Sequence, residues 1–311
     1  MPCFHPLHGY KSKKNGKWIS EQNAPLKHTL EPLTIPCSKC TGCRAEYSRQ
    51  WAMRILHEHQ LKDNSSFITL TYKDEHLPQT GSLVKKDFQD FMKRLRKTKT
   101  IIIDPETGLN LNPIRFFHCG EYGEKFGRPH YHAILFNHNF DDRKQLPGQK
   151  NLSTSKELTR LWGKGGEQQQ TIGQVTFQSA SYVAGYVQKK ITGKLKDEHY
   201  RRVDPTTGET WVLQQEYATM SRRPGIAGHW FTKYKKDIYP KDELHIDGVP
   251  MRPAKYYDRL FKEQEPELME KIKKNRTKAM QKTAHLRTPE ALAQAKRNHQ
   301  ARMSLHKRGK L

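Results

Sequence analysis

Apolar positions along the chain follow two periods and switch between them several times. From Arg44 to Lys62 the spacing is helical, with Tyr47, Trp51, Ile55 and Leu56 on one stripe. Ser65 to Tyr72 (SSFITLTY) is a β-branched and aromatic run and predicts a strand. The helical period returns from Leu83 to Thr98, where Val84, Phe88, Phe91, Met92 and Leu95 share a face opposite a basic stripe. DPETGLN then reads as a turn. Ile114 to Gly123 and His130 to Phe136 predict two strands, and the short EKFGRP between them predicts a hairpin. Ser153 to Gly165 predicts a helix with Ser153 or Ser155 as N-cap. Ile172 to Gln178 predicts another strand, and Ser179 to Lys190 another helix. Residues 191–240 read as loop, with a DPTTGE turn and a basic SRRPG. This order predicts an α+β fold: a central, mainly antiparallel β-sheet with helices packed on one face.

Charge changes the picture. The 311 residues carry a net charge of +24, and hydrophobic residues make up only 34%. Such an excess exceeds what solubility needs and points to a polyanionic partner, of which nucleic acid is the commonest. No run approaches the ~18 apolar residues of a spanning helix. MPCFHPLHGYK at the start lacks the apolar core of a signal peptide, so a soluble intracellular protein without a membrane partner is expected. Between Lys271 and Leu311 stand thirteen Lys/Arg and one acid, Glu290, half of the net charge. That segment predicts a helical or disordered basic arm.

Five cysteines without a secretion signal speak against a disulfide framework. Cys37, Cys40 and Cys43 stand in CSKCTGC, whose x2 spacings let thiolates turn back onto one ion. Cys3 is the natural fourth ligand of a structural Zn²⁺, with His5 and His28 as rivals. Cys119, inside a predicted strand, reads as a small buried hydrophobe. The chain is thereby expected to comprise a Cys-rich zinc-binding segment at 1–43, a central α+β domain at 44–240 and a basic extension at 241–311.

The predicted hairpin carries the chemistry. His130 and His132 lie two apart on a strand and so point to one face, with Tyr131 on the other. Glu121 on the first strand comes near them, while Glu124 in the turn is an alternative third ligand. Two imidazoles and a carboxylate leave open positions on a divalent ion, which marks a catalytic rather than a structural site. In SYVAGYVQKK, Tyr182 and Tyr186 stand at i and i+4 on one helix face, followed by Lys189 and Lys190. A phenol is a poor nucleophile at neutral pH unless its electrophile is activated, and a metal that polarises a phosphodiester does that. A neighbouring lysine can stabilise the phenolate or the phosphoryl charge.

With these residues in view, the sequence resembles the rolling-circle replication initiators of the HUH endonuclease superfamily, most of all those of the microviruses and their gokushovirus branch. FITLTY (67–72), RPHYHAILF (128–136) and YVAGYVQKK (182–190) match the three motifs in order. The likeness covers roughly residues 1–260. It implies an RRM-like HUH fold in which His130 and His132 bind Mg²⁺ or Mn²⁺, with Glu121 as third ligand. It further implies that Tyr186, paired with Lys189, attacks the origin phosphate to give a 5′-phosphotyrosine and a free 3′-OH primer, and that Tyr182 serves as second nucleophile for strand transfer and joining. The implied partners are single-stranded and supercoiled phage origin DNA with the host helicase and DNA polymerase, in the cytoplasm of the host bacterium. A non-catalytic single-stranded nucleic-acid binding protein with a zinc knuckle is the rival reading; it needs neither the histidine pair nor the tyrosine helix. A tyrosine transposase or plasmid relaxase would share the metal motif but not the flanking segments.

Overall fold

The strand with the histidine pair is hydrogen-bonded on both sides to long strands, so it is fixed at every position. This is seen in a computed structural model of the chain that describes residues 3–24, 30–62, 64–166, 168–186, 196–239 and 241–305. Strands β1 (Gly9–Lys11), β2 (Trp18–Ser20) and β3 (Glu31–Pro32) precede helix α1 (Thr41–Gln60). β4 (Ser65–Thr71), α2 (Lys85–Lys97), β5 (Arg115–Tyr122) and β6 (Pro129–Phe136) follow. Next come β7 (Lys144–Gln145), β8 (Ser153–Thr154), α3 (Lys156–Trp162), β9 (Thr171–Gly173) and α4 (Phe177–Tyr186). α5 (Lys196–Tyr200), β10 (Arg201–Val203), β11 (Thr210–Val212), β12 (Tyr217–Met220) and α6 (Gly228–Ile238) lead to β13 (Leu244–Ile246) and β14 (Val249–Met251). Helices α7 (Lys255–Gln264), α8 (Pro266–Lys282) and α9 (Pro289–Leu305) complete the order. The chain divides into two units, Arg49–Ala254 and Met1–Ser48 with Lys255–Leu311.

Within Arg49–Ala254, seven antiparallel strands run in the order β12-β5-β6-β4-β9-β8-β7. The fold is α+β, as the patterning predicts, but the helices cover both faces rather than one. The reason lies in β6, where Tyr131 and Ala133–Phe136 are all buried, so both of its faces need a cover. Tyr131, Ala133 and Leu135 pack with Ile68 and Leu70 of β4 against Phe88, Phe91 and Leu95 of α2 and Trp162 of α3. On the other face Phe67, Phe117, Ile134 and Phe136 pack against Ala52 and Ile55 of α1 and Ala180 and Val183 of α4.

Several polar groups buried in these layers are paired. The Tyr131 hydroxyl accepts from the Val84 amide at 2.9 Å and lies 2.8 Å from the Tyr72 hydroxyl, which donates to Asp87 Oδ2 at 2.6 Å. The residue between the two histidines thus ties β6 to the start of α2. Arg115 of β5 and Glu58 of α1 form a buried ion pair at 2.7 Å. Glu58 Oε2 also accepts from the Ala227 amide at 2.6 Å, and Arg115 Nη2 donates to the Pro224 carbonyl at 2.7 Å. Together they pin the SRRPGIAG segment to the sheet.

Two sequence expectations need correction. The strand expected over Ile172 to Gln178 stops at Gly173, and α4 begins at Phe177 rather than Ser179. Thr176 and Ser179 close a reciprocal cap: the Ser179 amide donates to Thr176 Oγ1 at 3.1 Å and the Thr176 amide to Ser179 Oγ at 2.9 Å. That cap starts the helix early. Residues 196–239 are not loop: β12 pairs with β5, with Ala218 opposite Cys119, and α6 follows. Ser155 proves to be the N-cap of α3, accepting from the Leu158 amide at 2.9 Å.

The second unit holds the three-stranded sheet β2-β1-β3, the cysteines and α7 to α9. The basic tail is helical over α8 and α9. Arg276 of α8 grips Asp258 of α7 with two bonds at 2.6 and 2.8 Å. Phe4, beside Cys3, packs its ring on His299 of α9 with centroids 5.6 Å apart. Among the described residues no helix is long and apolar enough to cross a membrane.

Candidate functional site

Strand pairing builds the site. β5 and β6 place Glu121 opposite His130 and Cys119 opposite His132; β4 places Thr69 opposite His132. Side chains alternate along a strand, so Glu121, His130, His132 and Thr69 all project from the face that α4 covers. The turn between β5 and β6 is closed by two amide bonds, Gly123 to the Arg128 carbonyl and Gly127 to the Gly123 carbonyl, each 2.9 Å. Gly127 sits at φ +62°, which glycine adopts without a Cβ penalty. Arg128 fastens this turn by donating to Asp74 Oδ1 at 2.6 Å and to the Tyr72 carbonyl at 3.1 Å.

Both imidazoles turn Nε2 to the same carboxylate oxygen. Glu121 Oε1 lies 2.7 Å from His130 Nε2 and 2.9 Å from His132 Nε2. Their far nitrogens are held from behind, His130 Nδ1 at 3.2 Å from the Arg128 carbonyl and His132 Nδ1 at 3.0 Å from Thr69 Oγ1. A carbonyl only accepts, so that contact calls for a proton on His130 Nδ1, and the other ring nitrogen, Nε2, is aimed at Glu121. Glu121 is 2% exposed, and its Oε2 is buried without a hydrogen-bond partner among the described residues. Burial works against the ionised carboxylate, but hydrogen bonds from His130 and His132 outweigh it and hold Glu121 below its ordinary pKa.

This donor set fits a divalent cation. The three ligand atoms lie within 4.8 Å of one another. A carboxylate oxygen 2.7 and 2.9 Å from two imidazole nitrogens needs a proton or a cation between them, and a divalent ion can take that place. Two nitrogens and one oxygen leave coordination positions open for substrate. Glu124, the rival third ligand, is exposed in the turn and outside this cluster.

α4 brings Tyr182 to the same face. The Tyr182 ring stands edge-on to His132, with centroids 5.3 Å apart, and touches Phe67 at 6.5 Å. Tyr186 is the last residue of α4, one turn further on. The Tyr186 side chain, Lys189 and Lys190 lie outside the described residues. Sequence reasoning missed Thr69 and Arg128. The signal for Thr69 was available, because it shares the alternation of FITLTY that aims residues at the H-x-H face.

The cysteines make a second arrangement whose donor set suits a metal ion. Cys3, Cys37, Cys40 and Cys43 bring four sulfurs within 4.8 Å of one another, all as free thiols. Cys3 and Cys40 Sγ are 3.9 Å apart, and Cys37 and Cys43 Sγ 4.0 Å. A tetrahedron with Zn–S near 2.3 Å has edges of about 3.8 Å. Backbone amides turn inward to the sulfurs: Phe4 and Cys43 donate to Cys40 Sγ at 3.3 and 3.4 Å, and Cys37 donates to Cys3 Sγ at 3.2 Å. Burial raises the Cys40 thiol, but the Cys43 and Phe4 amides outweigh it and bring its pKa down to about 6. Of the two rivals for the fourth place, His5 stands outside the cluster, and His28 lies outside the described residues.

The family model for the replication-associated protein ORF2/G2P matches residues 65–191, from β4 through the tyrosine helix. Replication-associated protein VP4 of Bdellovibrio phage phiMH2K is 31% identical over 273 residues, 86% of this chain and 79% of the relative. Replication-associated protein ORF2 of Spiroplasma virus 4 is 32% identical over 307 residues, 91% of this chain and 88% of the relative. The chain belongs to the replication-associated proteins of gokushovirus-like microviruses. A further member, replication-associated protein ORF4 of Chlamydia phage 1, is 32% identical over 164 residues, half of this chain and 38% of the relative. No solved structure matches the chain. The family match contains Glu121, His130, His132, Tyr182, Tyr186 and Lys189, while the four clustered cysteines fall outside it.

Proposed function

We propose that the protein initiates rolling-circle replication by nicking one strand of the phage origin through a phosphotyrosine and later rejoining it. The observation that carries this reading is the Tyr182 ring against His132, beside the Glu121–His130–His132 cluster. A binding module has no need for a phenol next to a set of metal ligands.

His130, His132 and Glu121 would hold Mg²⁺ or Mn²⁺, which when bound polarises the scissile phosphate as a Lewis acid. The phenol oxygen of Tyr186 attacks phosphorus; an O–P bond forms and the bond to the 3′ oxygen breaks. The phenolic proton leaves for solvent, and the departing 3′ oxygen takes one up as a 3′-OH. The 5′ phosphate stays on the tyrosine, so its bond energy is kept and no nucleotide triphosphate is used. Lys189 lowers the cost of charge on the phenolate or phosphoryl oxygens. Tyr182, one helical turn away, serves the second transfer, when the regenerated origin is cut while the first tyrosine is still esterified.

The free 3′-OH would prime the host polymerase, with the host helicase opening the duplex in the bacterial cytoplasm. The cysteine cluster would hold Zn²⁺ as a structural ion. Residues 1–43, 44–240 and 241–311 would then serve as zinc segment, nicking domain and basic extension.

The test is incubation of the purified protein with single-stranded and supercoiled origin DNA and Mn²⁺. A protein–DNA adduct that survives SDS and is absent with EDTA is expected. Binding without an adduct under any metal would leave the rival reading, a single-strand binding protein.

A further inference from the structure

The nicking chemistry uses one end of β5, where Glu121 stands. The other end carries a cavity of about 460 Å³ that this chemistry leaves unused. Arg96 and Lys99 from the end of α2, Asn110 and Asn112 from the segment before β5, and Arg222 and Arg223 after β12 line it. No Asp or Glu is among the lining residues.

Among the described residues, Arg96, Lys99, Arg222 and Arg223 have no counter-ion. Arg96 donates to the Ile114 carbonyl at 3.1 Å and Lys99 to the Asn137 carbonyl, and both acceptors are neutral. Burial holds both side chains below their ordinary pKa, the direction expected of a cation taken from water without a partner. Arg222 and Arg223 are exposed and form no ion pair among the described residues. Arg115, at the floor, is neutralised by Glu58 and serves another purpose: with Glu58 it pins the backbone at Pro224 and Ala227. The two free arginines are therefore carried on a fixed segment. Apolar Ile101 and Ile114 also line the cavity, so its walls suit a sugar and base beside a phosphate better than a bare anion.

We propose that this cleft is a second, non-catalytic DNA site that holds backbone phosphates of the origin strand away from the scissile bond. Arg115 and Glu121 are six positions apart on β5, about 20 Å at 3.4 Å per residue. A stacked strand places its phosphates about 3.4 Å apart along the axis, so the grip falls about six nucleotides from the nick. Phosphate contacts fix register rather than sequence, so the cleft would set where along the strand the tyrosines act. The substrate assumed here, origin DNA, rests on the nicking reading.

The test uses the full-length protein and the double variant Arg222→Glu/Arg223→Glu, both positions exposed. Binding is measured against salt on a long origin strand and on a short oligonucleotide that reaches fewer than about six steps from the nick. On the long strand the variant should bind more weakly, with a salt slope shallower by about 1.4, from about 0.7 per single-strand phosphate lost. On the short oligonucleotide, affinity and adduct yield should match the parent. Equal binding of parent and variant to the long strand would overturn the proposal. So would equal losses on both substrates, the result of a general change in charge or fold. Displacement of the long strand by a mononucleotide at matching concentration would mark a nucleotide pocket instead and overturn it too. If the parent forms no adduct on any DNA while the long-strand gap persists, the nicking reading fails and the cleft stands.

Discussion

The Tyr182 ring meets the His132 imidazole edge-on, at 5.3 Å between centroids and 78° between planes. Two elements far apart in sequence produce this contact. Pairing between β4, β5 and β6 fixes His132, and Ala180 and Val183 bury α4 on the same face of the sheet. A phenol and the Glu121–His130–His132 cluster are thereby held side by side by core packing.

His130→Ala and His132→Ala should each abolish nicking while DNA affinity changes little. Lys and Arg contacts to phosphate supply most non-specific binding, whereas the proposed function gives these histidines the chemistry. Glu121→Ala should cause a large loss and Glu124→Ala a mild one, because only Glu121 meets both Nε2 atoms. Cleavage of labelled origin oligonucleotide, beside fluorescence anisotropy for binding, checks this. The reverse order for the two glutamates would exchange their roles.

Metal analysis of the purified protein should find about one equivalent of zinc, as four thiolates complete one tetrahedral site. Cys119→Ser should keep it, since Cys119 is buried in the sheet core with Phe117 and Ile134. Cys40→Ser should lose it. A metal-free protein with a folded N-terminal segment would contradict the zinc assignment.

Stability should fall as pH drops from about 6.5 toward 4. Burial against Trp230, stacked at 3.5 Å, lowers the His57 pKa to about 3, and burial lowers His138 to about 4. Below 6.5 the unfolded chain takes up protons that these folded imidazoles refuse, so acid favours unfolding. His57→Phe keeps a ring on Trp230 and should flatten part of the slope. Thermal melts across this pH range measure it; parallel profiles for parent and variant would contradict it.

Glu58→Ala should destabilise the protein by about 3–5 kcal/mol, the usual result of stranding one partner of a buried ion pair. Arg115 would lose its carboxylate and the Ala227 amide its acceptor. Urea unfolding gives the value. A loss below about 1 kcal/mol, typical of an exposed pair, would place the contact in solvent.

Some of this was legible in the sequence because it is local. The β5–β6 hairpin announces itself by alternation and a short turn, and the periodicity of α2 names four of its buried residues, Phe88, Phe91, Met92 and Leu95. β12 is four residues long, and its place is set by pairing with β5 rather than by any pattern of its own. β7 and β8, two residues each, are likewise visible only in the sheet. The start of α4 escaped because its cap uses Ser179 where Glu or Gln is the familiar signal. The two-sided cover of the sheet was readable in the unbroken apolar run Ala133–Phe136, which a strand with one wet face does not have.

The central claim is that a tyrosine of α4 becomes covalently joined to DNA. The most direct measurement is peptide mass spectrometry of the SDS-resistant adduct, after nuclease trimming, on origin single strand with Mn²⁺. The account predicts a nucleotide 5′-phosphate on Tyr186 in the parent protein. It predicts no adduct in the Tyr182→Phe/Tyr186→Phe double variant, which keeps both rings and should fold and bind DNA as before. Tyr182→Phe alone should still nick but fail to close circles. The nucleotide on Tyr182 with Tyr186 unmodified would invert the two roles. An adduct on any other residue, or single variants that cleave and rejoin like the parent, would contradict the account and leave the tyrosines as packing.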